Sequence, residues 1–120
     1  MLVTMFKWSV GLEKDDIYTS IKIAACVCGK DGLISFPEEE KIFQLVSEKS
    51  PSFTRVQFDQ VIDDFFDSVD QIEDYAEIIS DPSIRQFTLQ LASKSAGADG
   101  LDIRENIALS KLKLLWGEDR

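Results

Sequence analysis

Apolar residues recur along this chain at spacings of three and four, and apolar–polar alternation with a period of two is almost absent. A period near 3.6 residues is typical of amphipathic helices. We therefore predict an all-α fold, a single compact bundle of six or seven short helices in one domain over residues 1–120, with its core in residues 13–117. The inward faces of these helices supply the predicted core residues, which are Ile23, Ala24, Ile42, Leu45, Phe65, Phe87, Leu91, Leu109 and Leu112.

Capping signals mark where several helices begin. Ser35 is followed three residues later by Glu38, and Thr54 by Gln57. This is the spacing of a capping box, in which each side chain accepts a hydrogen bond from the backbone N–H of the other residue. Pro82 suits a first helical turn, since proline has no N–H to lose. These signals predict helix starts near residues 35, 54 and 82, in addition to a short helix near residues 2–10.

The middle of the chain has two interpretations. A single helix would continue from the start near residue 54 to Ile79, because one apolar stripe spans the region. Alternatively, that helix ends and a new one starts at Asp70, with Glu73 three residues later as its capping partner. The stripe consists of Val61, Phe65, Val69 and Ile72.

A short motif, Gly-x-Asp-Gly-Leu, occurs twice, at residues 29–33 and 97–101. Each copy follows a helical pattern rich in small residues and precedes a helix start that contains acids. Asp31 and Asp99 are 68 residues apart, and the second loop is one residue shorter than the first. The motif predicts two repeated helix–turn–helix units. Because one such unit cannot bury its own apolar face, we expect the two copies to pack together.

Negative charge is concentrated in one segment. The net charge is −9, and residues 59–81 contain nine acids and no Lys or Arg. A nucleic-acid partner would require a basic patch, so this class of partner is excluded. No run of about 18 apolar residues is present, which predicts no membrane span. We expect a cytoplasmic protein in which Cys26 and Cys28 are reduced and buried.

The acids of the two Asp-Gly loops have two interpretations. An EF-hand is excluded, because loops counted from Asp31 or Asp99 place apolar side chains at positions that require ligands. A looser convergence of the two loops would bring together carboxylates that suit a hard divalent cation, with calcium or magnesium favoured over zinc. In the alternative, each acid only caps a helix or stabilises a turn. Both interpretations stay open.

Two stretches give the chain a resemblance to a known family: IAACVCGKDGLISFPEEEKIFQLV at residues 23–46, and residues 84–117 around the second motif. In their order, separation and helical character they resemble the TerB-like tellurite-resistance family, over about residues 17–117. The resemblance implies a compact helical domain associated with stress resistance, in the cytoplasm or at the inner face of a membrane. It also implies metal-ion binding by acids, which at the matching positions are Asp31, Glu38, Asp99 and Glu105.

A second hypothesis is that the acidic segment docks a basic partner protein. If residues 55–79 form one helix, five acids lie within about 80° of one another around its axis. Like charges at these spacings repel each other, so the stripe indicates either a cationic partner or a well-solvated face. The five acids are Asp63, Asp67, Asp70, Asp74 and Glu77.

An enzyme is the least supported class of protein. The chain has no histidine, which is the side chain most often used as a general base near neutral pH. Neither cysteine nor any serine has a recognisable base beside it in the sequence, and no glycine-rich phosphate loop is present. We therefore predict a non-enzymatic protein.

Overall fold

Six α-helices and one 3₁₀ turn make up the computed structural model over residues 14–29, 34–99 and 103–117, and side chains are described there except at residues 99 and 103–105. No strand occurs within these ranges, so the predicted all-α fold is confirmed. The predicted helix near residues 2–10 lies outside the described residues. The elements are α1 Lys14–Cys28, α2 Phe36–Lys49, α3 Arg55–Asp67, α4 Ile72–Ile78, α5 Pro82–Ala96, the 3₁₀ turn Gly97–Asp99 and α6 Ile103–Leu115.

Local side-chain hydrogen bonds set the helix starts. At α2, the Glu38 N–H donates to Ser35 Oγ over 3.2 Å, and the Ser35 N–H donates to Glu38 Oε1 over 3.0 Å. At α3, the Gln57 N–H donates to Thr54 Oγ1 over 3.2 Å, and the Thr54 N–H donates to Gln57 Oε1 over 2.9 Å. These bonds satisfy backbone donors that have no partner within the helix. Both predicted capping boxes are confirmed.

The two repeats meet where α1 packs against α5, the most extensive contact between the described helices. Ser20 on α1 and Thr88 on α5 are buried, and their hydroxyl oxygens are 2.8 Å apart. Their separation of 68 residues is also the offset between the two motifs, so this hydrogen bond joins equivalent positions of the two repeats. Ala24 and Ala92, one helical turn further on, share this offset and are fully buried. The predicted packing of the two units is confirmed.

These four residues, Ser20, Ala24, Thr88 and Ala92, form what we call the α1–α5 seam. The Thr88 hydroxyl donates its proton to Ile84 O over 2.7 Å. Because a hydroxyl has only one proton to donate, Thr88 accepts in the pair with Ser20, and Ser20 is the donor. The seam therefore combines small side chains, which let two backbones approach closely, with a polar contact in which both hydroxyls are satisfied.

One cluster of buried apolar side chains joins all six helices. Of the predicted core, Leu45, Phe65 and Phe87 are only partly buried against this cluster, and the other six residues are buried. The Trp116 indole N–H donates to Ala76 O over 3.0 Å and ties the end of α6 to α4. The radius of gyration, 13.9 Å, is about that of a single 120-residue domain. None of the described helices is both long enough and apolar enough to cross a bilayer.

The acidic segment forms two helices, α3 and α4, separated by residues 68–71. The backbone is extended at Ser68 and Gln71. Ser68 Oγ accepts a hydrogen bond from the Asp70 N–H over 3.0 Å, and Asp74 Oδ2 accepts one from the Gln71 N–H over 2.8 Å. Such local bonds from side chain to backbone compete with continuation of a helix, and here they end α3 and start α4.

A continuous helix to Ile79 is therefore wrong. The apolar stripe through Val69 is wrong with it, because Val69 lies in the break and is 90% exposed. The alternative, a restart, is correct, but the N-cap is Gln71 and not Asp70. One consequence is electrostatic: the acids of the segment are divided between two helices, so they no longer repel one another along a single stripe.

The Ser20–Thr88 hydrogen bond should be measurable as a coupling energy between two substitutions. Thr88→Val leaves the Ser20 donor buried without its partner, and we expect it to lower the free energy of unfolding by about 1–3 kcal/mol. Ser20→Ala should cost about 1 kcal/mol, because Thr88 keeps its bond to Ile84. In urea unfolding, the double variant should lose about 1 kcal/mol less than the sum of the single losses. Strictly additive losses would contradict a direct bond across the seam.

Candidate functional site

Glu38, one of the four predicted metal ligands, is a buried acid at the start of α2. Its side chain is 3% exposed, and among the described residues the only polar contact of its carboxylate is the Ser35 N–H. The next two acids differ, since Glu39 Oε1 and Glu40 Oε2 lie 3.5 and 2.7 Å from Arg55 Nη2. The N-terminus of α2 favours negative charge, but buried carboxylates usually also have a counter-ion.

Of the other three predicted ligands, the structure describes only the backbone of Asp99 and Glu105. Asp31 lies outside the described residues. The helix that carries Glu38, α2, packs against the 3₁₀ turn Gly97–Asp99. The turn of the second repeat is thus a neighbour of the second helix of the first repeat. Within the described ranges, no group of three or more His, Cys, Asp or Glu side chains is arranged to hold a metal.

The five acids predicted to bind a partner are all exposed, but they do not form one stripe. Two lie on α3, one lies in the break and two lie on α4, because the helix is interrupted at residues 68–71. None of the five makes an ion pair with a described residue. Much of the negative charge of this segment is therefore exposed and uncompensated. The five acids are Asp63, Asp67, Asp70, Asp74 and Glu77.

Tyr75 fixes the geometry of the break between α3 and α4. Its hydroxyl donates to Ser68 Oγ over 3.2 Å, and its ring centroid is 6.5 Å from that of Phe65. Burial raises the pKa of Tyr75, and the charges of Asp70 and Asp74 act in the same direction, while the Ser68 hydrogen bond opposes them. The fold therefore favours the neutral, protonated form of this side chain.

A groove of about 220 Å³ opens beside residues 68–71, and we call it the break groove. Phe66 on its wall is 46% exposed, and its ring meets the Phe65 ring edge-on with centroids 5.2 Å apart. The groove cation Lys111 forms an ion pair with Glu73. The break groove thus combines accessible aromatic surface with carboxylates. Its lining includes Phe65, Phe66, Asp70, Ile72, Glu73 and Lys111.

Two residues of the break groove, Phe65 and Cys26, are less buried than the sequence predicts. The adjacent residues Phe65 and Phe66 indicate exposed aromatic surface at this place. Adjacent positions on one helix point about 100° apart, so the two rings cannot both face the same core. Cys26 also lines the groove. Neither cysteine forms a disulfide bond, as predicted. Cys28 is buried, but Cys26 is only partly buried, so the two do not form a buried pair.

No protein-family model, curated protein or solved structure matches this chain. The all-α fold with its two repeated units rests on the structure. The relationship to the TerB-like family stays a prediction, and it is carried by the repeated Gly-x-Asp-Gly-Leu motif and the helix patterns around it. The features of the molecule that bear on its function are Glu38, the acidic segment and the break groove.

Tyr75 should make the stability of the protein fall at alkaline pH. Its pKa in the folded state is raised above the ordinary value of about 10, so its stabilising contribution is complete below pH 10 and is lost as the pH rises through the folded pKa. Tyr75→Phe should cost about 1 kcal/mol at pH 8, through the lost bond to Ser68. Above pH 10, urea midpoints should fall more steeply for the wild type than for the variant. If the urea midpoints of the wild type and of Tyr75→Phe fall in parallel above pH 10, the raised pKa of Tyr75 is contradicted.

Proposed function

We propose that this protein is a non-enzymatic stress-response domain of the TerB-like kind, which binds a divalent cation through the acids of its two Asp-Gly loops. The observation that carries the proposal is the burial of Glu38 without a cationic partner among the described residues. Calcium or magnesium is the favoured ion. The proposed ligands are Asp31, Glu38, Asp99 and Glu105.

The capping role of Glu38 does not by itself account for its burial. At α3 the equivalent position is occupied by Gln57, a neutral residue that makes the same backbone bond and is only partly buried. A buried carboxylate without a counter-ion is unfavourable by several kcal/mol. The Ser35 N–H and the helix dipole offset part of that cost. A cation held between the loops would account for both the charge and the burial of Glu38.

A site built from two loops requires the repeats to bring those loops together. The packing of α2 against the turn Gly97–Asp99 supports this requirement. All four proposed ligands are carboxylates, and such oxygen donors suit hard cations. Bound there, the ion would link the two repeats. The chain contains no histidine, which supports a binding role over acid–base catalysis.

Added calcium or magnesium should stabilise the folded protein, because an ion bound only by the folded state shifts the unfolding equilibrium. At about 100 times the dissociation constant we expect a melting temperature higher by on the order of 10 °C. Glu38→Gln should abolish this rise without lowering the melting temperature of the metal-free protein, because glutamine also serves in a capping box and removes the uncompensated buried charge. Scanning calorimetry measures both effects.

Glu48→Gln is the matched control, since it removes an exposed acid from the same helix, α2, and it should leave the metal-dependent rise unchanged. The remaining proposed ligands are tested by three further variants: Asp31→Asn, Asp99→Asn and Glu105→Gln. Each should reduce the metal-dependent rise in melting temperature. The proposal fails if calcium, magnesium, manganese and zinc all leave the wild type unchanged. It also fails if Glu38→Gln responds to the ion as the wild type does.

A second candidate function is the docking of a basic partner protein on the acidic segment, residues 59–81. The observation that favours it is that five acids there are exposed and have no ion pair with a described residue. Exposed and uncompensated charge of one sign steers oppositely charged partners and accelerates their association. This function would depend on ionic strength, because the Debye length is only about 8 Å at physiological salt.

A further inference from the structure

The break groove gives the acidic segment a place where an apolar side chain can be held. We infer that this groove binds a basic segment of a partner protein by accepting one large apolar side chain of that segment. The inference rests on the second candidate function, docking of a basic partner, and it adds the location and the chemistry of the anchor. The acids around the groove would contact the basic residues on either side of that anchor.

The size of the groove indicates a single side chain as its occupant. Its volume of about 220 Å³ is below the roughly 300–1,000 Å³ typical of pockets for small-molecule ligands. Protein interfaces, by contrast, are dominated by a few large side chains seated in well-packed pockets. The wall of this groove combines the aromatic residues Phe65 and Phe66 with polar residues such as Ser68 and Gln71. A groove of this volume can accept one leucine or phenylalanine of a partner against its aromatic side.

Accessible apolar surface at the groove makes such an anchor favourable. Phe66 is 46% exposed, and Val69 in the adjoining break is 90% exposed. The Phe66 ring is held edge-on against Phe65, and the break that presents it is tied back by the bond from Tyr75 to Ser68. The aromatic wall is therefore largely preformed, which reduces the entropy lost on binding.

The charges around the groove indicate which kind of partner it can bind. Asp70 lies in the lining, and Asp67 and Asp74 flank residues 68–71, all without an ion pair among the described residues. Lys111, a cation of the lining, is paired with Glu73. A second copy of this chain would bring another net charge of −9, and nucleic acid would be repelled in the same way. A basic protein segment is the complementary partner.

Binding of three fluorescein-labelled peptides of 14 residues, followed by fluorescence anisotropy, tests the inference. The first has lysines with leucines along one helical face, the second has glutamines in place of the leucines, and the third has glutamates in place of the lysines. We expect the lysine–leucine peptide to bind at least tenfold more tightly than either of the others, which corresponds to about 1.4 kcal/mol. Failure of this peptide to bind, or equal binding of the lysine–glutamine peptide, overturns the inference.

Phe66→Ser should weaken binding of the lysine–leucine peptide about tenfold, because the residue forms the wall that contacts the anchor. Phe36→Ser is the matched control: Phe36 is 73% exposed on α2 and should change the affinity less than twofold. Circular dichroism verifies that both variants keep the helical fold. Equal affinities of the two variants would contradict a role for the groove.

Alkylation of Cys26 by iodoacetamide reports on the groove without any substitution. Cys26 lines the groove and Cys28 is buried, so the bound peptide should slow modification of Cys26, with Cys28 as the internal reference in mass spectrometry. An unchanged rate at saturating peptide would place the peptide elsewhere and overturn the inference.

A charge-reversal variant distinguishes failure of the groove inference from failure of the docking function on which the inference rests. The charge-reversal variant combines Asp63→Lys, Asp67→Lys and Glu77→Lys. It leaves Asp74 in place, because that acid caps α4. We expect it to abolish binding of the lysine–leucine peptide. If this variant loses binding while Phe66→Ser keeps it, docking on the acidic segment stands and the groove inference is wrong. If the charge reversal leaves the affinity unchanged, both are wrong.

Discussion

The packing of α1 against α5 is the contact on which the rest of the structure depends. α1 contacts each of the other five described helices, and its contact with α5 is the most extensive of all. The seam is lined by Ser20, Ala24, Thr88 and Ala92, which are buried and small. Larger side chains there would strain or separate the helices, because a packed core tolerates added volume poorly. Since the seam joins equivalent positions of two repeats, one interaction orients both halves of the chain.

The two proposed binding functions follow from this arrangement. Each helix of the seam leads into one Asp-Gly motif, so the seam sets where both acidic loops begin, and α2 then packs against the turn Gly97–Asp99. The C-terminal part of α1 also contributes Cys26 to the break groove, and Gly29, the residue that follows α1, lines it as well. Gly29 is the first residue of the first motif. The proposed cation site and the proposed docking groove are thus connected through the end of α1.

Features that depend on neighbouring residues could be predicted from the sequence. The capping boxes at Ser35 and Thr54 form between residues three apart, and their chemistry does not depend on the remainder of the fold. The repeated motif predicts that two units pack together, but the contact between Ser20 and Thr88 also requires the crossing geometry of two helices, which no local pattern specifies. Glu38 is predicted as a cap and as a ligand, whereas its burial depends on how α2 lies against the second repeat.

The break at residues 68–71 shows how a periodic pattern can mislead. Val69 fits the apolar stripe of a continuous helix and is nevertheless exposed, because Ser68 and Asp74 bond to nearby backbone N–H groups and interrupt the helix. The adjacent residues Phe65 and Phe66 indicate exposed aromatic surface near the break, but the groove itself could not be predicted. Its lining brings together residues as distant in sequence as Cys26 and Lys111, which become neighbours only through tertiary packing.

Native-state hydrogen exchange tests most directly whether the α1–α5 seam is the basis of this fold. Backbone amides in the middle of α1 and α5, such as those of Ala24 and Ala92, should exchange only through global unfolding and with the same free energy. Amides of the seven-residue helix α4 should exchange at a lower free energy, through local opening that leaves the seam intact. Slowest exchange in α3 or α4, or clearly different free energies for α1 and α5, would contradict the account.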